Sequence, residues 1–156
     1  MKTVILYATK YGAATEIARR IAERTDGAVL YDLKQGVPDL AGYDCIIVGS
    51  SVYAGMFRKE AKAFLSQNAD ILQQKKLGLF ASGINPDENQ RVFADNVPAE
   101  VLQSARTTAF LGGIFSPQKA NLAERLIVKA AAKQAAYLNT IDDGKIGQFS
   151  EAMRSE

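Results

Sequence analysis

The chain has no histidine, and Cys45 is the one cysteine among its 156 residues. Without an imidazole, serine–histidine and cysteine–histidine catalysis are excluded. With no histidine and no cysteine cluster there is no basis for a zinc or other transition-metal site. A single cysteine cannot form an internal disulfide. Cys45 opens the apolar run Cys45-Ile46-Ile47-Val48, which favours a buried core residue over a reactive thiol. No apolar run approaches the roughly 20 residues that cross a bilayer. Met1-Lys2-Thr3 leads straight into a strand pattern, so no signal peptide is expected and cytoplasmic location is the default. Lys and Arg number 19 against 17 Asp and Glu, and a net charge of +2 is too small to argue for nucleic acid as a partner. Repeats, low-complexity tracts and linkers are also missing, so residues 1–156 read as a single domain large enough for a real core.

What is present is alternation. Residues 3–8 form an apolar run expected to be a strand, and 13–24 a helix with Ile17, Ala18 and Ile21 inward and Arg19, Arg20, Glu23 and Arg24 toward water. A second strand is expected over Val29 to Leu33, and a third over Cys45 to Val48, ended by Gly49-Ser50-Ser51. Residues 58–68 read as a helix with Ala61, Phe64 and Leu65 inward, and Lys76 to Ala81 as a fourth strand. Asn85 to Glu100 is polar with two short helical pieces, and Pro98 suits a first helical turn. A fifth strand is expected over Ala105 to Leu111, ending at Gly112-Gly113, then helices over about 119–138 and 143–153. Five strands separated by helices imply an α/β fold with an open parallel sheet covered on both faces. Ligands in such sheets bind beyond the carboxyl ends of the strands, where strand order reverses. The loops after strands one, three and four are therefore expected to carry the chemistry.

Loop one is Thr9-Lys10-Tyr11-Gly12-Ala13-Ala14. An apolar strand stops at a hydroxyl, passes a glycine and starts a helix at once. Gly12 can reach backbone angles denied to other residues. The free N–H groups of residues 10 to 14 and the helix dipole can then hold a phosphate. The alternative is a tight turn with a helix cap, and Lys10 is either a phosphate partner or a solvated lysine. Loop two is Ser50-Ser51-Val52-Tyr53-Ala54-Gly55-Met56. Tyr53 can stack on a planar ring while Ala54 and Gly55 let main-chain groups reach its edge. The alternative is a turn whose Tyr53 covers the sheet edge. Loop three, Ala81-Ser82-Gly83-Ile84-Asn85, has small residues whose backbone can meet a flat heterocycle, though Ser-Gly pairs mark many turns. Two related folds fail on their motifs. A response-regulator receiver needs acidic residues after strand one and an aspartate ending strand three, where this chain has Ala8-Thr9-Lys10 and Gly49-Ser50. A dinucleotide fold needs Gly-x-Gly-x-x-Gly after strand one, and only Gly12 is present.

Over essentially its whole length the chain resembles a flavodoxin. Thr9 to Ala14 is similar to the phosphate loop for flavin mononucleotide (FMN). Ser50 to Gly55 is similar to the loop on the flavin ring, and Ala81 to Asn85 to the loop at its other edge. The resemblance implies an open five-stranded parallel sheet in the order 2-1-3-4-5, with FMN as cofactor. It implies cofactor binding by Thr9, Lys10, Tyr11, Gly12, Ala13, Ala14, Ser51, Val52, Tyr53, Ala54, Gly55, Ser82, Gly83 and Ile84, with no catalytic acid or base. The subgroup it resembles best is the menaquinone-dependent protoporphyrinogen oxidases. Those tend to carry Thr-Lys-Tyr-Gly in loop one and, after a Gly-Gly strand end, a helix with the spacing of Arg125, Lys129 and Lys133. This implies an FMN oxidoreductase that oxidises protoporphyrinogen with a quinone acceptor. An electron carrier between a reductase and another protein, and a binding module that has lost FMN, are the alternatives. The helix over 119–138 allows at most peripheral contact with the inner membrane face. Three departures stand out. Ala14 replaces the usual threonine, with Thr15 as a substitute; the chain is not strongly acidic, unlike electron-shuttling flavodoxins; and the basic helix is less apolar than a membrane-bound oxidase suggests. The polar stretch Asn85 to Asn96 reads as a lid or a partner surface.

Overall fold

An apolar strand without alternation must be covered on both sides. The computed structural model, which describes residues 1–116 and 137–155, shows how this is done. Strand β1 (Thr3–Ala8) leads into α1 (Ala13–Glu23), β2 (Val29–Asp32) and a 3-10 turn at Leu33–Gln35. There follow β3 (Cys45–Tyr53), β4 (Met56–Phe57), α2 (Lys59–Gln67), α3 (Ala69–Leu72) and β5 (Lys76–Ser82). A second 3-10 turn (Pro86–Gln90) precedes α4 (Val92–Asn96), α5 (Ala99–Ser104), β6 (Thr107–Phe110), β7 (Ile114–Phe115), β8 (Leu138–Asn139) and α6 (Asp143–Arg154).

Five strands pair in parallel in the order β2-β1-β3-β5-β6, which is the expected 2-1-3-4-5 when parallel strands alone are numbered. The order reverses between β1 and β3. The sheet separates two cores. Val4, Leu6, Ile46, Val48, Leu77 and Leu79 project to one side, against Phe64 and Leu65 of α2 and Val92 and Phe93 of α4. Ile5, Cys45, Ile47 and Phe80 project to the other, against Ile17 and Ile21 of α1 and Phe149 and Met153 of α6. Each aliphatic side chain so buried contributes about 1.5–3 kcal/mol of transfer free energy. Cys45 is a buried core residue, and burial pushes its thiol up from the ordinary value. Arg20 and Arg24 reach across to Asp143 at 3.6 and 3.1 Å, so the polar face of α1 is tied to α6 instead of simply meeting water.

Several expected boundaries move. Gly49-Ser50-Ser51 does not end β3, which runs on to Tyr53 and doubles back into β4. Ser50 and Ser51 pair in register with Ala81 and Ser82 of β5. The fifth parallel strand is shorter than expected, and Pro98 precedes α5 as its cap. The 3-10 turn at Leu33–Gln35 and helix α3 were not anticipated. The basic stripe Arg125, Lys129 and Lys133 lies outside the described residues. So does the helix expected over 119–138, except at its last two positions, where Leu138 belongs to β8.

Candidate functional site

A cleft opens over the carboxyl ends of β1, β3 and β5, where the strand order reverses. Its walls bring together Lys10, Tyr11 and Ala13 from the first loop, Ser51, Val52, Tyr53 and Ala54 from the second, and Ser82, Gly83 and Ile84 from the third. Four other expected residues serve it from outside the wall: Thr9, Gly12, Ala14 and Gly55.

Gly12 takes φ +102° and starts α1 with no side-chain cap. A helix begun this way leaves its first N–H groups without intrahelical partners. The Gly12 N–H itself is used, because it donates to Thr9 Oγ1 at 2.9 Å and closes the loop. Thr9 keeps its own hydroxyl hydrogen to donate. An added Cβ at Gly12 meets no atom within 4 Å, so the residue is needed for its backbone angle and not to avoid a clash within the protein. Ala14 is fully buried and packs in the α1 core. A side chain pointing that way has no route to a ligand, and Thr15 engages the Tyr7 phenol instead. Burial and the Asp32 charge push that phenol up, with the Thr15 hydroxyl opposing them. The Lys10 ammonium lies 5.3 Å from the Tyr11 ring centroid and 4.9 Å from that of Tyr53, within cation–π range of both.

The second loop is far tighter than its sequence suggests. Tyr53 and Met56 face each other across a two-residue turn, Ala54-Gly55, with φ of +50° and +79°. Positive φ at both positions matches the right-handed twist of a hairpin, but it strains Ala54, which has a Cβ. The strain is held by Asn96. Its Oδ1 accepts from the Phe57 N–H at 3.0 Å, while its Nδ2 donates to the carbonyls of Gly55 (2.8 Å) and Val92 (2.7 Å). One donor on one side and two acceptors on the other fix the amide orientation. Phe93 packs edge-on against Phe57, with ring centroids 6.0 Å apart. The expected lid or partner surface at 85–96 is therefore, in its α4 half, a buttress with Val92, Phe93 and Asn96 buried. Ser50 is a fixture too: its hydroxyl donates to the Ser51 carbonyl and accepts from the Arg58 N–H, both at 2.9 Å.

In the third loop, the Gly112 carbonyl accepts from the Ser82 hydroxyl (2.9 Å) and the Gly83 N–H (3.1 Å). Those two donors are committed within the protein, so Ile84 is left with the free backbone there. Gly112 holds φ +85°, and a Cβ on it would lie 2.0 Å from the Thr140 carbonyl oxygen. Sequence reasoning did not find Glu88, Gly113, Ile114 and Phe115, which also line the cleft. Glu88 is brought in by the 3-10 turn, and Ile114 and Phe115 by the β7–β8 hairpin. Burial pushes the Glu88 carboxyl up from its ordinary value, partly offset by the nearby Gly55 backbone N–H. Among the described residues no group of His, Cys, Asp and Glu is placed to hold a metal ion, and no helix is long and apolar enough to cross a membrane.

A concave, small-residue cleft beside an uncapped helix N-terminus suits a planar ring with an anionic tail. The class defined by this sheet and cleft is the doubly wound α/β protein with its ligand site at the strand switch. Within it, the chain belongs to the flavodoxin domain family, whose pattern matches residues 4–140. No curated protein sequence matches it. Among solved structures it is similar to oxidised flavodoxin 2 from Bacillus cereus, at 21% identity and TM-score 0.62, over 98% of this chain and 97% of that one. It is similar to a short-chain flavodoxin associated with a non-canonical PDU bacterial microcompartment, at 15% identity and TM-score 0.61, over 98% and 96%. A flavoprotein from Lactobacillus acidophilus NCFM in complex with FMN aligns at 18% identity and TM-score 0.54, over 70% of this chain and 92% of that one. At such identities these likenesses speak for the fold.

Proposed function

We propose that the chain binds FMN in this cleft and carries electrons between a reductase and an acceptor protein. One observation carries the reading: left-handed Gly12 with the uncapped start of α1, and Tyr53 with the Ala54-Gly55 turn, converge at the β1/β3 switch. The fourteen residues named from the sequence are the proposed binding set, with two refinements. Ala14 acts through its backbone, and Ser82 and Gly83 act by shaping the loop. The N–H groups at the start of α1 and the Thr9 hydroxyl would hold the phosphate, each such bond to a charged oxygen contributing about 1.5–3 kcal/mol. Tyr53 would cover the ring and exclude water. Bound FMN supplies the redox chemistry, and the protein sets its affinity, potential and access. The FMN-bound state of the Lactobacillus flavoprotein supports the choice of cofactor. A redox protein is the proposed partner, and the cytoplasm the proposed location.

A second reading, protoporphyrinogen oxidation with a quinone acceptor, is favoured by Thr9-Lys10-Tyr11-Gly12 and by a charge balance of only +2. The test is an absorption spectrum of purified protein, before and after adding FMN and desalting. Flavin bands that stay with the protein support the proposal; full release of FMN overturns it in favour of a binding module. Tyr53→Ala is expected to restore flavin fluorescence, and unchanged quenching would remove Tyr53 from the site. Oxidation of protoporphyrinogen by FMN-loaded protein with a quinone present would favour the second reading.

A further inference from the structure

Glu88 is the only carboxylate among the described residues that line the cleft. It stands on the 3-10 turn Pro86–Gln90, whose start is fixed by the Asn85 side chain accepting from the Asp87 N–H at 3.0 Å. Its Oε2 lies 3.4 Å from where a Cβ on Gly83 would be, and the Gly55 N–H faces it from the β3–β4 turn. It therefore bridges the two loops proposed to flank the flavin ring. The groups around it are few. Lys10 and Tyr11 face the cleft from the first loop and Tyr53 from β3, while β7 brings only Ile114 and Phe115. Asp87 and Arg91 flank it in sequence, and Arg91 is paired with Asp95 at 3.7 Å.

We propose that Glu88 is the redox-linked proton acceptor of the cleft. The inference rests on the FMN reading. One electron enters the bound flavin from a one-electron donor protein, and one proton from solvent binds the Glu88 carboxylate. The charge of the cleft is then unchanged, and no bond to the flavin forms or breaks. The physical reason is like-charge repulsion. A partly desolvated carboxylate resists a second negative charge a few ångströms away, and binding a proton removes the conflict. Burial already moves this carboxyl toward the protonated form. Linkage makes the effect reciprocal: a protonated Glu88 makes the flavin easier to reduce.

Glu88→Gln separates charge from shape, because glutamine keeps an acceptor oxygen toward Gly55. The midpoint potential of FMN-loaded wild type and variant is to be followed from acid to alkaline pH. At alkaline pH the variant is expected to favour reduced over oxidised FMN about tenfold more than wild type does, or 59 mV for one electron. The gap is expected to close as the pH falls and Glu88 takes its proton. Parallel curves, or no gap at any pH, would overturn the proposal and put the proton elsewhere. A second readout needs no flavin. The Gly55 amide resonance of the FMN-free protein is expected to move with pH in wild type and to stay fixed in Glu88→Gln. A Gly55 signal that does not respond in wild type would overturn the contact itself. Failure of both proteins to retain FMN would instead overturn the flavin reading and the redox role with it, with Gly55 still reporting on the carboxylate.

Discussion

Replacing Asn96 by alanine is expected to loosen the cleft from behind, without touching its wall. Asn96 is 5% exposed, and its amide satisfies the Phe57 N–H on one side and the Gly55 carbonyl on the other. Phe57 is buried, so its orphaned N–H has no route to water. A buried donor left unpaired costs about 1–3 kcal/mol. Gly55 is half-buried, so its carbonyl can be partly rehydrated, and about 1 kcal/mol is a fair figure for it. The sum is about 2–4 kcal/mol, or a melting temperature lower by roughly 4–16 °C for a chain of this size. The same lost bonds should free the strained Ala54-Gly55 turn, so FMN affinity is expected to fall with stability. Chemical denaturation gives the first quantity, a fluorescence titration with FMN the second, and hydrogen exchange at the Phe57 amide localises the effect. A loss under 0.5 kcal/mol with unchanged Phe57 protection would refute the claim that one amide holds the hairpin.

Three further outcomes are expected. Gly12→Val forces a β-branched side chain onto φ +102°, so FMN retention after desalting should be lost while the circular dichroism of the sheet persists; full retention would remove Gly12 from the phosphate loop. Ala54→Asn places a residue that tolerates positive φ in the turn and should raise stability by about 0.5–1 kcal/mol, read as a melting temperature higher by a few degrees. Glu88 has a folded-state pKa raised above its unfolded value, so its stabilising contribution is complete below the ordinary carboxyl range and disappears as pH rises through the raised value. Glu88→Gln should therefore be more stable than wild type at neutral pH and no more stable in acid, with denaturation midpoints across that range as the check.

Much of the scaffold was legible because the physics behind it is local. The unbroken apolar runs at Val4–Leu6 and Cys45–Val48 could only be strands buried on both faces, and Gly12 between a strand and a helical pattern marked the loop. The hairpin was not legible. Ser50 and Ser51 look like a turn, yet in the sheet they are strand residues, and Ala54-Gly55 lacks the asparagine or aspartate that usually announces this reversal. Asn96 acts 39 residues from Phe57, and the Gly112 carbonyl 30 residues from Ser82. Partnerships of that range leave no periodicity or spacing to read. Glu88 sits in a polar stretch where nothing local distinguishes it from Asp87, which points elsewhere by forming the cap.

The sheet that divides the interior also divides the consequences of mutation. Phe64 and Phe149 lie in different cores, separated by strands whose side chains alternate between them. Losses from truncating the two together should simply add, since neither cavity can be filled by collapse of the other. Sequence drift can then proceed almost independently on the two sides. The α2 and α4 side is bound to the hairpin through Asn96, and the α1 side to the phosphate loop through Ala14. Each side thus guards one end of a single ligand, and a change tolerated by one can be selected without renegotiating the other.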